Sequence, residues 1–262
     1  MKKLLSILCY SVLSVSLIGC GSADKTNSSK EKNSVELTIS AAASLKEAMA
    51  DIEPLFTEKY PDIKLTFNFG SSGSLQQQIE QGAPADVFIS AGQNQMNTLK
   101  DEALMVNDTC RDLVKNRLVL VGPSDTQLTS LNDLNTDKVN KIAVGEPSSV
   151  PAGKYADEVL KNSSLYDSVS SKLVFAKDVK EVLAWSTSGN ADAGFVYLSD
   201  AVSNNSAKVI ETISEDLHTP ITYPVGVVKS TEHLEESKDF VDFLYSSESK
   251  DVFEKYGYTP VE

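Results

Sequence analysis

Short runs of β-branched and aromatic residues alternate along this chain with segments of helical period, the arrangement expected of an α/β protein. Val35–Ser40 predicts a strand. Ser44–Tyr60 follows with Leu45, Ala48, Met49, Ile52, Leu55 and Phe56 on one helical face. Ser44 and Glu47 have capping-box spacing, and Pro61 ends the segment. Ile63–Phe69 predicts the next strand, and Ser74 and Gln77 repeat the capping-box spacing at the head of Leu75–Gln81. Gly82-Ala83-Pro84 reads as a turn, Asp86–Ser90 as a buried strand and Gln93–Leu99 as a helix. Further strands are predicted at Asn116–Val121 (stopped by Gly122-Pro123), Lys141–Val144, Leu173–Ala176, Ala193–Tyr197, Val209–Ile213 and Tyr223–Lys229. Helices are predicted at Ala152–Leu160 and Asp178–Ser186, the latter with Asp178 and Glu181 at capping-box spacing. Phe240–Tyr256 closes the chain with helical residues. The expected sheets are mainly parallel.

Two strands run straight into helix starts made of small and hydroxyl residues: Ala41-Ala42-Ala43-Ser44-Leu45 and Gly70-Ser71-Ser72-Gly73-Ser74-Leu75. A helix start leaves backbone N–H groups unpaired and carries partial positive charge. Routine capping accounts for either motif alone. Together, with no Arg or Lys at the tip, they form a cradle for a small anion. Open α/β sheets bind ligands beyond the carboxyl ends of their strands, so two such sheets facing each other enclose a cleft lined by helix starts. The expected division is a first lobe of residues 35–115 plus 222–262 and a second of 116–221. The chain then crosses between them near Asn116 and near Thr222.

The N-terminus follows different rules. Lys2 and Lys3 precede an apolar run, Leu4–Ile18, too short for a comfortable membrane span, which ends in Leu17-Ile18-Gly19-Cys20. That tetrapeptide resembles a bacterial lipobox, which implies a signal peptide over residues 1–19 and lipidation of Cys20. Residues 20–34 are rich in Ser, Asn and Lys and read as a flexible tether with a reach of about 20 Å. Cys9 leaves with the leader and Cys20 is acylated, so Cys110 has no partner for an intramolecular disulfide. Cys110 has no His near it in sequence, and reads as a structural thiol.

With 262 residues, 41% hydrophobic and 23% charged, the chain has the composition of a globular protein with room for two lobes. Its formal net charge of −13 becomes two units more negative once Lys2 and Lys3 are removed. That excludes nucleic acid as a partner. It does not exclude a small buried anion, because screening beyond about 8 Å leaves affinity to the groups in contact. The chain has no Gly-x-Ser-x-Gly elbow, no His-Glu-x-x-His and no metal-spaced Cys/His cluster, so an enzyme finds little support.

The motifs occur in an order that resembles the molybdate-binding proteins of bacterial ABC importers. The matching strings are Ala41-Ala42-Ala43-Ser44-Leu45, Ser71-Ser72-Gly73-Ser74-Leu75 and residues 78–90 (Gln-Ile-Glu-Gln-Gly-Ala-Pro-Ala-Asp-Val-Phe-Ile-Ser). They continue through Val150-Pro151-Ala152-Gly153, Asp178-Val179, Val196–Ala201, Tyr223-Pro224-Val225 and Lys255-Tyr256-Gly257-Tyr258. The resemblance covers the whole mature domain and implies a two-lobed periplasmic-binding-protein fold of type II, with the ligand between the lobes. It implies that Ser44 and Ser72 each offer a backbone N–H and a hydroxyl, Ala152 and Val179 backbone N–H groups, and Tyr197 its phenol. Gly73 stands where relatives often carry Ser, which implies at most the loss of a secondary hydroxyl.

The function implied is a lipid-anchored, extracytoplasmic binding protein that captures molybdate or tungstate and hands it to an ABC permease. It would act as a monomer, without a cofactor. Another tetrahedral oxyanion, such as sulfate or phosphate, is the alternative. A donor-only site suits an unprotonated dianion, whereas phosphate carries a proton that needs an acceptor. Asp178, the one acid near these positions, reads more simply as a helix cap. Lys154 reads as solvent-facing, and Trp185 as core.

Overall fold

The computed structural model describes residues 34–261. The expected leader, Cys20 and the tether as far as residue 33 lie outside the described residues. Residues from Asn33 onward group as one unit, built on two sheets. In chain order the first part comprises β1 (Val35–Ala42), α1 (Lys46–Lys59), β2 (Ile63–Gly70), α2 (Ser72–Glu80), β3 (Val87–Ile89), α3 (Gln93–Asp101) and β4 (Arg111–Lys115). The middle comprises β5 (Leu118–Pro123), β6 (Ile142–Gly145), α4 (Pro151–Asn162), α5 (Tyr166–Val169), β7 (Leu173–Ala176), α6 (Val179–Thr187), β8 (Ala193–Tyr197), α7 (Leu198–Val202) and β9 (Ala207–Thr212). The chain ends with β10 (Thr222–Val227), α8 (Leu234–Phe243), α9 (Ser247–Lys255) and β11 (Thr259–Pro260).

The first sheet has the order β11-β4-β10-β3-β1-β2 and the second β7-β6-β8-β5-β9. This is the two-lobed α/β architecture, with one correction: the sheets are mixed. β1 pairs parallel with β2 and β3, and β6 with β7 and β8. β10 runs antiparallel to β3 and β4, and β5 antiparallel to β8 and β9. β5 and β10 are the first strands after each crossing between the sheets, and β11 at the chain end also runs antiparallel to β4. A strand arriving from the other lobe has no crossover helix to reverse it, so it enters antiparallel.

Several local expectations change. β4 is a strand of its own, separated from β5 by Asn116 and Arg117, and Gly122-Pro123 belong to β5 at its pairing with β9. The final helical stretch is two helices, with Ser246 capping the second through Ser249 N–H. Ser44 caps nothing: it lies in a single 3-10 turn, Ala43–Leu45, and α1 begins at Lys46. The cap of α2 is Ser71, whose hydroxyl accepts from Ser74 N–H at 3.3 Å, so Ser74 is the partner and not the cap. Asp178 does cap α6, accepting Glu181 N–H at 2.9 Å, while the Glu181 carboxylate takes Lys177 N–H.

Both lobes are densely filled. Leu37, Ile39, Met49, Ile52 and Phe56 are fully buried in the first, and Leu118, Leu120, Ile142, Phe195 and Val196 in the second. Trp185 packs at the margin of this core, half-buried. Cys110 is also half-buried, and burial pushes its thiol pKa up. Two glycines place α4. A Cβ on Gly153 would sit 2.0 Å from the Gly145 carbonyl oxygen, so only glycine lets the first turn of α4 close onto the end of β6.

The lobes touch directly. Gly73 N–H donates to Ser149 C=O at 2.9 Å, and a Cβ on Gly73 would meet that oxygen at 2.6 Å. Glycine at 73 therefore does more than omit a hydroxyl; it allows backbone-to-backbone contact across the cleft. Lys180 on α6 is paired with Glu47 on α1 and lies 2.9 Å from Asp200 on α7. Burial opposes the Lys180 charge, but the two carboxylates outweigh it and hold the ammonium above its ordinary pKa.

Two stability predictions follow from these contacts. Gly153→Ala should cost about 1–3 kcal/mol by overpacking α4 against β6, read as a lowered midpoint in urea. Lys180→Met leaves the wholly buried Asp200 carboxylate without its counter-charge and should cost about 3–5 kcal/mol. Glu47→Gln, whose partner keeps Asp200, should cost under about 1 kcal/mol. Equal losses from the two substitutions would contradict this division.

Candidate functional site

The carboxyl ends of β1, β2, β6 and β8 converge on one small pocket. Its walls are Ala42, Ala43, Ser44, Gly70, Ser71, Ser72, Ala91, Val150, Pro151, Ala152, Val179 and Tyr197. All five residues singled out in the sequence, Ser44, Ser72, Ala152, Val179 and Tyr197, lie on it together. None of the lining residues carries a charge. The pocket is narrow and opens partly to solvent.

Local structure explains each donor. Ser44 follows β1 in the 3-10 turn, and Ser72 is the first residue of α2 after its cap, Ser71. Ala152 follows Pro151 in the first turn of α4, where proline's missing N–H costs nothing. Val179 opens α6 behind Asp178. The backbone N–H groups of Ser44, Ser72, Ala152 and Val179 have no protein acceptor among the described residues. Four helix-start donors therefore face one space from both lobes.

The hydroxyls are also arranged. Ala91 N–H donates to Ser72 Oγ at 2.9 Å, which leaves the Ser72 proton free for another acceptor. Ser44 Oγ is 3.0 Å from Tyr223 Oη, and Tyr258 Oη donates to Ser44 C=O at 2.8 Å. Tyr197 is buried, donates a long bond, 3.4 Å, to Ala91 C=O in the other lobe, and lies beside the Tyr223 hydroxyl. Burial pushes the Tyr197 and Tyr223 phenols well above their ordinary pKa, so both remain proton donors at neutral pH.

Other candidates stand apart. Lys154 is half-exposed and pairs with Glu158 at 3.7 Å. It borders a larger cavity of about 470 Å³ beyond Pro151, whose walls include Gln93, Asn94, Gln95 and Asp112. That cavity has more room, but the small pocket is where the unpaired N–H groups meet, so the chemistry belongs there. No group of His, Cys, Asp and Glu suited to a metal ion occurs among the described residues.

Sequence reasoning missed Ala91 in the wall and the residues behind it: Tyr223, Tyr258, Asn116 and the Lys180 ion pairs. Tyr223 and Tyr258 fall in strings that resemble the family, yet no local pattern distinguishes them from packing aromatics. Asn116 is isolated in a buried strand region, a polar residue where burial demands a partner, and that was the one available signal.

A family model described as bacterial extracellular solute-binding protein matches residues 37–259. A Bacillus subtilis (strain 168) lipoprotein, YvgL, is 43% identical over 92% of both chains; its name assigns it provisionally to substrate binding for an ABC transporter. The molybdate-binding protein ModA of Escherichia coli K12 is 37% identical over 98% of both. A solved structure from Clostridium difficile, again described provisionally, as the substrate-binding domain of a molybdenum ABC transporter, is 60% identical. It covers 87% of this chain and 100% of its own, with a TM-score of 0.69. The match over nearly the whole described length, with helix starts facing one pocket between two lobes, places this chain in the bacterial extracellular solute-binding family, together with the molybdate-binding proteins of ABC importers.

Proposed function

We propose that this protein captures molybdate, and tungstate equally, outside the cytoplasm and delivers it to an ABC permease, tethered to the membrane by a lipid on Cys20. The observation that carries the reading is the donor set. About seven N–H and O–H groups from Ser44, Ser72, Ala152, Val179 and Tyr197 border one pocket that no charged side chain lines. A tetrahedral oxyanion without a proton is all acceptor, so donors alone satisfy it. The names of the Escherichia coli and Clostridium difficile relatives point to the same ligand, and the Bacillus subtilis relative's name supports the lipid anchor.

Each charge-assisted bond contributes roughly 1.5–3 kcal/mol. Ordering and lobe closure offset part of the sum, which leaves a dissociation constant in about the micromolar to nanomolar range. The ligand needs no cofactor, and one chain supplies every donor. Tungstate has nearly the size and charge of molybdate. Sulfate has the same charge but is smaller, so its hydrogen bonds would be long. Hydrogen phosphate would set its own proton against a wall of donors.

Calorimetric titration of the leaderless chain with molybdate, tungstate, sulfate and phosphate tests this reading. Molybdate and tungstate should bind alike, with sulfate weaker and phosphate weakest. Tight sulfate binding without molybdate binding would overturn the specificity. Ser44→Ala and Ser72→Ala should each weaken molybdate binding by about 1.5–3 kcal/mol, since the backbone N–H groups remain, and each should lower the melting temperature, since Tyr223 and Ala91 N–H lose a buried partner. If both substitutions, and Tyr197→Phe with them, left every oxyanion's affinity unchanged, the pocket would not be the binding site.

A further inference from the structure

The hydrogen bonds behind Ser44 all run in one direction. Arg117 N–H donates to Asn116 Oδ1 at 2.8 Å. A backbone N–H can only donate, so it fixes the amide with Nδ2 turned the other way. That Nδ2 donates to Ser199 Oγ at 2.9 Å and to Tyr223 Oη at 3.2 Å. Tyr223 is fully buried, so its own proton requires an acceptor. Ser44 Oγ, at 3.0 Å, is the acceptor that the hydrogen-bond geometry provides among the described residues. Were Ser44 to donate to Tyr223 instead, the buried phenolic proton would be left with only the neighbouring Tyr197 hydroxyl, which makes no close hydrogen bond to it. Burial keeps that phenol protonated. Tyr258 holds the Ser44 carbonyl at 2.8 Å, so the seryl backbone cannot turn away.

We propose that Tyr223 and Asn116 are positioning residues that lock the Ser44 hydroxyl as a donor toward the pocket, and that this lock makes the site reject a tetrahedral oxyanion that carries a proton. The inference rests on the reading that an oxyanion sits against Ser44. A free serine hydroxyl can donate or accept, and could rotate to receive a proton from hydrogen arsenate or hydrogen phosphate. With Tyr223 already donating to its Oγ, one of the two Ser44 lone pairs is occupied and the seryl proton is turned away from Tyr223 toward the pocket. Ser72 is polarised in the same sense by Ala91 N–H, but through a backbone group. Ser44 is therefore the hydroxyl whose direction is set by replaceable side chains. Asn116 lies between β4 and β5, and Tyr223 lies in β10, so the lock is built where the chain passes between the two sheets.

The test compares the wild-type chain with Tyr223→Phe and Ser44→Ala, using molybdate as the unprotonated anion and hydrogen arsenate at pH 8 as the protonated competitor. Tyr223→Phe should weaken molybdate binding about tenfold and leave hydrogen arsenate unchanged or tighter, so the preference for molybdate shrinks at least as much. Ser44→Ala should weaken both anions. A Tyr223→Phe variant that keeps the wild-type preference, whether both affinities are unchanged or both fall equally, overturns the proposal, since a merely structural role predicts parallel losses. Neutron diffraction from ligand-free wild-type crystals reads the polarity without any substitution. The Tyr223 deuteron should point at Ser44 Oγ and the Ser44 deuteron into the pocket; a Ser44 deuteron on Tyr223 Oη would overturn the lock. If the wild-type chain binds no molybdate at all, the proposed function fails, and the deuteron positions still decide the lock.

Discussion

Four helix-start N–H groups, at Ser44, Ser72, Ala152 and Val179, lack acceptors and point into one pocket, and the rest of the structure is arranged around that constraint. Each start carries partial positive charge, so bringing them together is unfavourable by itself. The contacts between lobes offset this. Gly73 lends its N–H to Ser149, and Lys180 is neutralised by Glu47 and Asp200. These contacts flank the pocket without entering it, which leaves the converging N–H groups for an acceptor from outside. The protein's strong net negative charge does not oppose such a ligand at close range, because screening confines the remote field and the lining has no charge of its own.

How much of this was legible in the sequence depends on how local each determinant is. The strand-to-helix order was readable from period alone, because apolar residues repeat every second or every third to fourth position. The two Ser-bearing helix starts were legible as a cradle, but the donor role of each residue, and Ala152, Val179 and Tyr197 altogether, were reachable only through the ordered family motifs, since Ser at a helix start is usually a cap. The structure makes the distinction physical. Ser71 does the capping of α2 and leaves Ser72 to the pocket, while Ser44, which looked like a capping box with Glu47, caps nothing. Its apparent partner, Glu47, crosses the cleft to Lys180 instead. A spacing rule cannot reveal that exchange, because the competing partner lies more than a hundred residues away.

The parallel bias of the sheets was misjudged for a similar reason. Strand direction near the crossings is set by where the chain re-enters a lobe, which is a property of topology and not of any segment. Gly73 shows the same limit at the scale of one atom. Compared with a serine, it reads as a missing hydroxyl, whereas across the cleft it is the absence of a Cβ that matters, 2.6 Å from the Ser149 oxygen.

Neutral donors solve a problem that a lysine or arginine in the pocket would solve differently. A full positive charge attracts any anion and is indifferent to whether that anion carries a proton. N–H groups held by helix geometry cannot become acceptors, and phenols kept protonated by burial retain a proton to donate. The serines are the more ambiguous element, because an alkyl hydroxyl serves readily in either sense. The fold removes the ambiguity twice, with Ala91 N–H against Ser72 and with Tyr223 against Ser44. Discrimination then needs no charged residue at the contact surface. It comes from the direction of every proton around the pocket, and that direction is set by residues one layer behind the surface the ligand meets.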